Sequence, residues 1–380
     1  MFTFATAGRI VVGPGSSDQV PGIARGLGDR VLVVLGGHTD PAGTALAGLP
    51  DDATFWRWSG EPTVDGVRAG LAAAREAQPD VVVAWGGGSV IDLAKSVAVL
   101  LHGTGDVLDH LEVIGRGLPL PGTSVPVVAV PTTAGTGAEV TANSPILSPE
   151  HGLKASLRSP AMLPAVAVVD PVLTLTCPPA VTASSGLDAL TQCLEPFVTP
   201  KANPLTDALA REGLVRAARS LRTAYQHGDD LDARTDMSLC SLLGGMALAN
   251  AKLGAVHGLA APLGGLLGAA HGAVCAAVLA ATTAVNVRAL RSREPASPAL
   301  DRYTEAARLL TGSSSAMVED GVAWIAQTVA LLGMPPLGAL GLRPEDNGAV
   351  ADAALAASSM AGNPVRLTRD EVLEILDRSA

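Results

Sequence analysis

Residues 80–95, DVVVAWGGGSVIDLAK, decide the fold. Residues 81–85 are apolar without alternation, as a strand reads when both its faces are buried. Gly86, Gly87, Gly88 and Ser89 end the run, and a helical pattern begins at about Val90. Glycines let a backbone approach a ligand closely, and the first turn of a helix offers spare N–H groups and positive potential. The combination suits a pyrophosphate, although a tight strand–helix turn has the same composition. It is not the GxGxxG fingerprint. Asp92 and Lys95 follow on the first turns of the helix, where a plain helix-start acid and a solvated cation are the simple readings.

The same grammar extends outward. Residues 30–35 (RVLVVL) form an apolar run ending in Gly36 and Gly37, with Thr39 just beyond. Residues 64–77 have apolar positions spaced by three and four, as a helix requires. Residues 125–130 (VPVVAV) run into Pro131, Thr132 and Thr133, and residues 165–169 form a fourth apolar run. Continuous apolar strands alternating with helices predict an α/β domain with a mainly parallel, Rossmann-like sheet, whose ligands bind beyond the carboxyl ends of the strands. After Cys177, Pro178 and Pro179 no convincing strand returns, and helical periodicity runs through 185–198, 204–224 and 234–251. An all-helical second domain is expected, with the division at 1–178 and 179–380. Residues 291–298 (RSREPASP) read as an exposed connection.

Composition narrows the function. The 380 residues suit two domains, and the net charge of −10 argues against nucleic acid as a partner. Charged residues are only 16% of the chain, which leaves room for a sizeable interface, and a homodimer is expected. Cys177, Cys193, Cys240 and Cys275 are scattered without a CxxC pair, so they read as small buried residues rather than a disulfide or zinc–thiolate framework. Residues 1–12 show no basic region followed by an apolar one, so no secretory signal is expected. Residues 253–287 lack Asp, Glu, Lys and Arg, but Pro262 and six glycines make a broken, buried helical core the better reading than a membrane span. A soluble cytoplasmic protein is expected.

Two further stretches carry chemistry. Residues 131–141, PTTAGTGAEVT, place hydroxyls and glycines directly after a strand, offering short donors to a phosphate or ribose. Asp188 and Gln192 are four apart in a helical stretch and share a face. His257 and His271 are fourteen apart, which on one helix means about 21 Å. Residues 262–268, PLGGLLG, are expected to break the helix and let the two rings converge. A buried histidine is more often a hydrogen-bonded core residue than a ligand, so the pair alone does not establish a metal site.

GGGSVIDLAK at 86–95, PTTAGTGAEVT at 131–141, DALT at 188–191, HGLAAPLGG at 257–265, HG at 271–272 and NPVR at 363–366 together resemble the iron-containing (group III) alcohol dehydrogenases, in order and along essentially the whole chain. The resemblance implies hydride transfer between NAD or NADP and a small alcohol, with the aldehyde or ketone as its oxidised form. It implies that Gly87, Gly88 and Ser89 hold the pyrophosphate, with Asp92 beside them, that Thr132, Thr133 and Thr136 line the phosphate and nicotinamide side, and that Asn143 and Lys154 reach the nicotinamide ribose. By residue type alone, Lys154 is an isolated cation in a polar loop. NAD-preferring relatives often carry Asp where Gly36 falls. Gly36, Gly37 and Thr39 instead leave room for a 2′-phosphate, so acceptance of NADP(H), and a preference for it, is expected.

The resemblance also implies a divalent metal, Fe2+ or Zn2+, held by one Asp and three His. Asp188, His257 and His271 match three of these, and Gln192 stands in the fourth place as a weaker, uncharged oxygen ligand. Ala261 falls where many relatives carry a non-ligand active-site histidine. Three ligands with an open position still suit catalytic zinc, and an oxygen-rich set favours harder ions. Asp188, His257 and His271 are thus the catalytic candidates. A metal-independent reductase like maleylacetate reductase, a lyase like dehydroquinate synthase and a non-catalytic binding protein remain as alternatives.

Overall fold

The computed structural model describes residues 1–37 and 39–380. They form two compact units, one of Ala5–Thr133 with Gly137–Leu175, the other of Met1–Phe4, Ala134–Thr136 and Thr176–Ala380.

The first unit contains strands β1 (Arg9–Val12), β2 (Val31–Gly36), β3 (Thr54–Trp58), β4 (Val81–Gly86), β5 (Val127–Pro131), β6 (Asn143–Ser148), β7 (Leu153–Arg158) and β8 (Val166–Val169). Six of them form one sheet in the order β1-β8-β5-β4-β2-β3, with every neighbour parallel. Helices α1 (Val20–Arg25), α2 (Val64–Ala77), α3 (Gly88–Leu100) and α4 (Val107–His110) complete the unit. Alternation within the central strands explains their unbroken apolar character. Leu32, Val34, Val82 and Ala84 enter one core with residues of α2 and α3, while Val31, Val33, Leu35, Val81, Val83 and Trp85 enter another with Val20 and Ala24 of α1. Both faces are covered, so neither tolerates polar residues.

The four strands expected from sequence are present within one or two residues of their predicted ends. The other four were not expected. β1 and β3 are sheet edges with exposed positions, and so lack the continuous apolar run that marks β2 and β4. β6 and β7 form a separate antiparallel hairpin of mixed polarity.

The second unit is helical, built from α5 (Pro179–Val198), α6 (Pro204–Gln226), α7 (Leu231–Asn250), α8 (Ala255–Leu267), α9 (His271–Arg293), α10 (Pro298–Thr311), α11 (Val318–Leu331), α12 (Asn347–Ala356) and α13 (Arg369–Arg378). Its core is Ala-, Val- and Leu-rich, as the low aromatic content demands. α9 is long and apolar enough to cross a membrane, yet 78% of its most apolar window is buried within the protein. The expected connection at 291–298 is shorter than predicted, because α9 continues to Arg293 and α10 starts at Pro298.

The expected break between the two histidines is present, at the last residue of the stretch 262–268. α8 runs through Pro262, which removes one backbone donor without ending the helix. The break comes at Gly268, whose φ of 60° lies in the left-handed region that glycine adopts without a Cβ clash.

Candidate functional site

Of the nucleotide-binding candidates, Gly36, Gly37, Gly87, Gly88, Ser89, Thr132 and Thr133 lie at or just beyond the carboxyl ends of β2, β4 and β5, whereas Asn143 and Lys154 lie on the β6–β7 hairpin. β2 leads outward to the edge strand β3, whereas β4 leads to β5 on its other side, so adjacent β2 and β4 form the topological switch point of the sheet. Crevices for ligands open at such points. A Cβ built on Gly36 would stand 3.6 Å from Gly86 Cα and 3.6 Å from Thr39 Oγ1, which is ordinary contact distance. Gly87 caps α3 without a side-chain hydrogen bond, leaving the first-turn amides of Gly88 and Ser89 at the positive end of a 13-residue helix. Thr133 lies beside Gly87, its Oγ1 3.3 Å from where a Cβ would be. Thr132 donates its backbone N–H to Gly86 at 3.0 Å. Thr136, at the tip of the same loop, groups with the helical unit.

Three residues read differently in three dimensions. Lys95 is not a solvated cation: it is fully buried, pairs with Asp92 Oδ1 at 2.8 Å, and donates to the Ala138 carbonyl at 2.9 Å and to Thr141 Oγ1 at 3.0 Å. It therefore ties the threonine-rich loop to α3, and Asp92 is its counter-ion. Lys154 is not isolated in a loop. It lies in β7 with its Nζ 3.2 Å from Glu61 Oε2, and Asn143 begins the partner strand β6. Arg57, which sequence reading passed over, donates from Nη1 to the Thr39 carbonyl at 2.7 Å, bringing a guanidinium to the loop after β2.

The metal candidates lie wholly within the helical unit. Asp188, Gln192 and Glu195 occupy one face of α5, at spacings of four and seven. His257 is the third residue of α8, His271 the first of α9, and Cys275 lies one turn further on the same face. The helices bring together one donor atom each from Asp188, His257, His271 and Cys275, all within 4.8 Å of one another. His257 Nε2 stands 3.4 Å and His271 Nε2 3.7 Å from Asp188 Oδ1, and Cys275 Sγ is 3.6 Å from His271 Nε2.

These separations are long for hydrogen bonds, but they match the edges of a tetrahedron whose ligands sit about 2.0–2.3 Å from its centre, roughly 3.3–3.8 Å. Asp188 Oδ1, His257 Nε2 and Gln192 Oε1 are buried without a hydrogen-bond partner. Buried orphans are costly and uncommon, and here they cluster. The donor set therefore fits a divalent cation. Gln192 turns its amide nitrogen to Asp188 Oδ2 at 2.8 Å.

A second layer holds the donors in place. Glu195 Oε2 lies 2.6 Å from His257 Nδ1, and its Oε1 accepts from the Val256 backbone N–H at 2.7 Å. Asn363 Oδ1 accepts from the Ala255 N–H at 3.1 Å and from Asn286 Nδ2 at 3.0 Å. Together they cap the buried start of α8. Gly254 is needed there, since a Cβ would stand 2.9 Å from Glu195 Oε1 and 3.0 Å from Asn363 Oδ1. The Asn363 motif is thus a helix cap behind the site. Ala261, one turn beyond His257 on α8, brings no imidazole.

Electrostatics agree with this geometry. Burial resists protonation of His257, but Asp188 and Glu195 outweigh it and push its pKa up to about 10. Burial would raise the Asp188 carboxyl, yet His271, His257 and Gln192 together hold it below its ordinary value. Two buried carboxylates thus create a strong demand for positive charge at one point.

Parallel sheet, glycine-lined switch point and convergent His and Asp donors define a dinucleotide-dependent oxidoreductase with a metal centre. The chain matches the family model for iron-containing alcohol dehydrogenase over residues 7–171 and that for the family's C-terminal domain over residues 182–380. It is 35% identical to the probable alcohol dehydrogenase EutG of Salmonella typhimurium, over 89% of this chain and 83% of that one. A crystal structure of 1,3-propanediol oxidoreductase superposes over 100% of both chains with a TM-score of 0.91 at 30% identity. The sulfoacetaldehyde reductase of Bifidobacterium kashiwanohense, in complex with NAD+, covers 100% of this chain and 98% of its own with a TM-score of 0.88 at 28% identity.

The chain belongs to the iron-containing alcohol dehydrogenase family. It is accordingly an oxidoreductase of the alcohol dehydrogenase type, with small alcohols and aldehydes as substrates and NAD(P) and a divalent metal as the family's cofactors. The lyase, metal-independent and non-catalytic alternatives are not favoured by these matches.

Proposed function

We propose that this enzyme interconverts a small aldehyde or ketone and its alcohol, with residues 1–178 serving the nucleotide and residues 179–380 the metal and substrate. The reading is carried by one observation: Asp188 and His257 turn unpartnered buried atoms toward the point that His271 also faces. A divalent ion held there supplies Lewis acidity toward the substrate oxygen, and the nicotinamide supplies or accepts the hydride. Asp188 contributes charge, and Glu195 fixes the ring of His257. With Ala261 offering no imidazole, proton exchange with solvent falls to water or a ribose hydroxyl.

On the nucleotide side, Gly87, Gly88 and Ser89 would take the pyrophosphate, with Thr132, Thr133 and Thr136 beside it. Asn143 and Lys154 would serve the ribose next to the nicotinamide, and the Asp92–Lys95 pair would support the loop. Gly36, Gly37 and Thr39 leave the adenosine ribose without an acidic neighbour, and Arg57 adds a planar cation suited to a 2′-phosphate. NADP(H) is therefore the preferred cofactor. We further propose a cytoplasmic homodimer that binds neither nucleic acid nor membrane, in keeping with the net charge of −10.

The test is a panel of aldehydes, ketones and oxo-acids assayed with NADPH and NADH, before and after chelation. Turnover with NADPH that falls on chelation and returns with Zn2+ or Fe2+ supports the reading. Full activity of metal-free protein would remove the metal from it.

A further inference from the structure

Cys275 has no part in the reading above, yet it stands among the donors. It is fully buried, one turn after His271 on α9, and its Sγ lies 3.6 Å from His271 Nε2. We infer that Cys275 is the fourth protein ligand of the metal, taking up the place that Gln192 leaves, and that the site favours a thiophilic ion such as Zn2+ over Fe2+. The inference rests on the metal reading of this same site.

Several observations lead to it. The Sγ–Nε2 separation equals the roughly 3.6 Å edge that one nitrogen and one sulfur ligand subtend at a tetrahedral zinc. The unpartnered Asp188 Oδ1 and His257 Nε2 belong to the same four-atom cluster as Sγ. The amide nitrogen of Gln192 donates to Asp188 Oδ2 and so orients the carboxylate that ligates through Oδ1, while Gln192 Oε1 stays outside the four-donor cluster that holds Sγ. On binding, the thiol proton leaves to solvent and sulfur forms the bond to the metal. Soft thiolate ligation selects zinc over harder ions. Substrate access remains on the side of His271, whose side chain is 32% exposed while the other three donor residues are buried.

The test uses the full-length enzyme reconstituted with Co2+, whose thiolate complexes give an intense charge-transfer band in the near ultraviolet. The expected result is one Co2+ per chain with this band. In Cys275→Ala the band should disappear and metal affinity fall by more than about 100-fold, the upper end of what losing a merely outer contact costs. Cys240→Ala should keep the band, and Gln192→Ala should keep it too. Competition between Zn2+ and Fe2+ should favour zinc in the native enzyme and lose much of that bias in Cys275→Ser, a variant that keeps the size of the side chain. Stoichiometric Co2+ without the band, or unchanged affinity in Cys275→Ala, would overturn the inference and leave the metal reading standing. Failure of the native enzyme to bind any divalent ion would overturn both.

Discussion

Glu195 and His257 are joined through Nδ1, with Oε2 of the carboxylate 2.6 Å away, while Oε1 of the same group holds the Val256 N–H. One buried side chain thus sets both the start of α8 and the direction in which the imidazole presents Nε2. Carboxylate–histidine–metal chains of this kind fix the tautomer and raise the basicity of the ligand.

Replacing Glu195 by Gln should therefore weaken metal binding by about 10–100-fold while the fold persists. Replacing it by Ala also strips the helix cap and should cost about 1–3 kcal/mol of stability. Competition with a chromophoric chelator reads the first effect and chemical denaturation the second. Metal affinity equal to wild type in Glu195→Gln would remove Glu195 from any positioning role.

Cofactor choice should turn on Gly36. The space around its Cα accepts a side chain, so Gly36→Asp should place a carboxylate by the adenosine ribose. The ratio of kcat/KM with NADPH to that with NADH should fall by about tenfold or more. Arg57→Ala should lower kcat/KM for NADPH by about tenfold and leave that for NADH nearly unchanged. A uniform loss with both cofactors would show that Arg57 only supports the loop.

Glu139 gives a pH signature within the first unit. It is 2% exposed. Burial raises its pKa from 4.5 to about 7, and a backbone hydrogen bond and Lys95 only partly oppose this. The folded state thus binds the proton more tightly than the unfolded chain, so stability from the neutral acid is complete below pH 4.5 and is lost as pH rises through about 7. The loss amounts to about 3 kcal/mol. Glu139→Gln should abolish this slope, leaving the variant comparatively more stable at pH 8 than at pH 5. Urea midpoints with the same pH trend in both proteins would contradict the prediction.

Much of the fold was legible because burial on both faces leaves an unmistakable trace. β2 and β4 are continuous apolar runs for that reason, whereas β1 and β3, exposed at the sheet edges, carry no comparable pattern. Residue type alone misled in two places. Lys95 and Lys154 read as solvated cations because their partners, Asp92 and Glu61, and the backbone acceptors around Lys95 are set by tertiary structure. The break between the two histidines was legible, since the stretch 262–268 contains Gly268, where α8 ends. At the candidate site, Asp188, His257 and His271 could be selected from motif resemblance. Cys275 could not, since a solitary cysteine in an apolar helix is ordinary until its distance to His271 is known. Its spacing of four from His271 was the one available signal. Glu195 likewise shared the face of Asp188, a pattern that periodicity alone could have flagged.

The break at Gly268 also has an entropic side. α8 and α9 are separate rods joined by three residues, and each carries one of the two imidazoles. A cation gripped by both rods acts as a clasp across a short loop, removing arrangements in which the rods splay apart. Local order and metal occupancy are therefore thermodynamically linked. Amide exchange at residues 268–274 should slow on metal addition, with little change in the β6–β7 hairpin. Equal exchange with and without metal would show a turn already rigid, and affinity for the ion would then owe nothing to its closure.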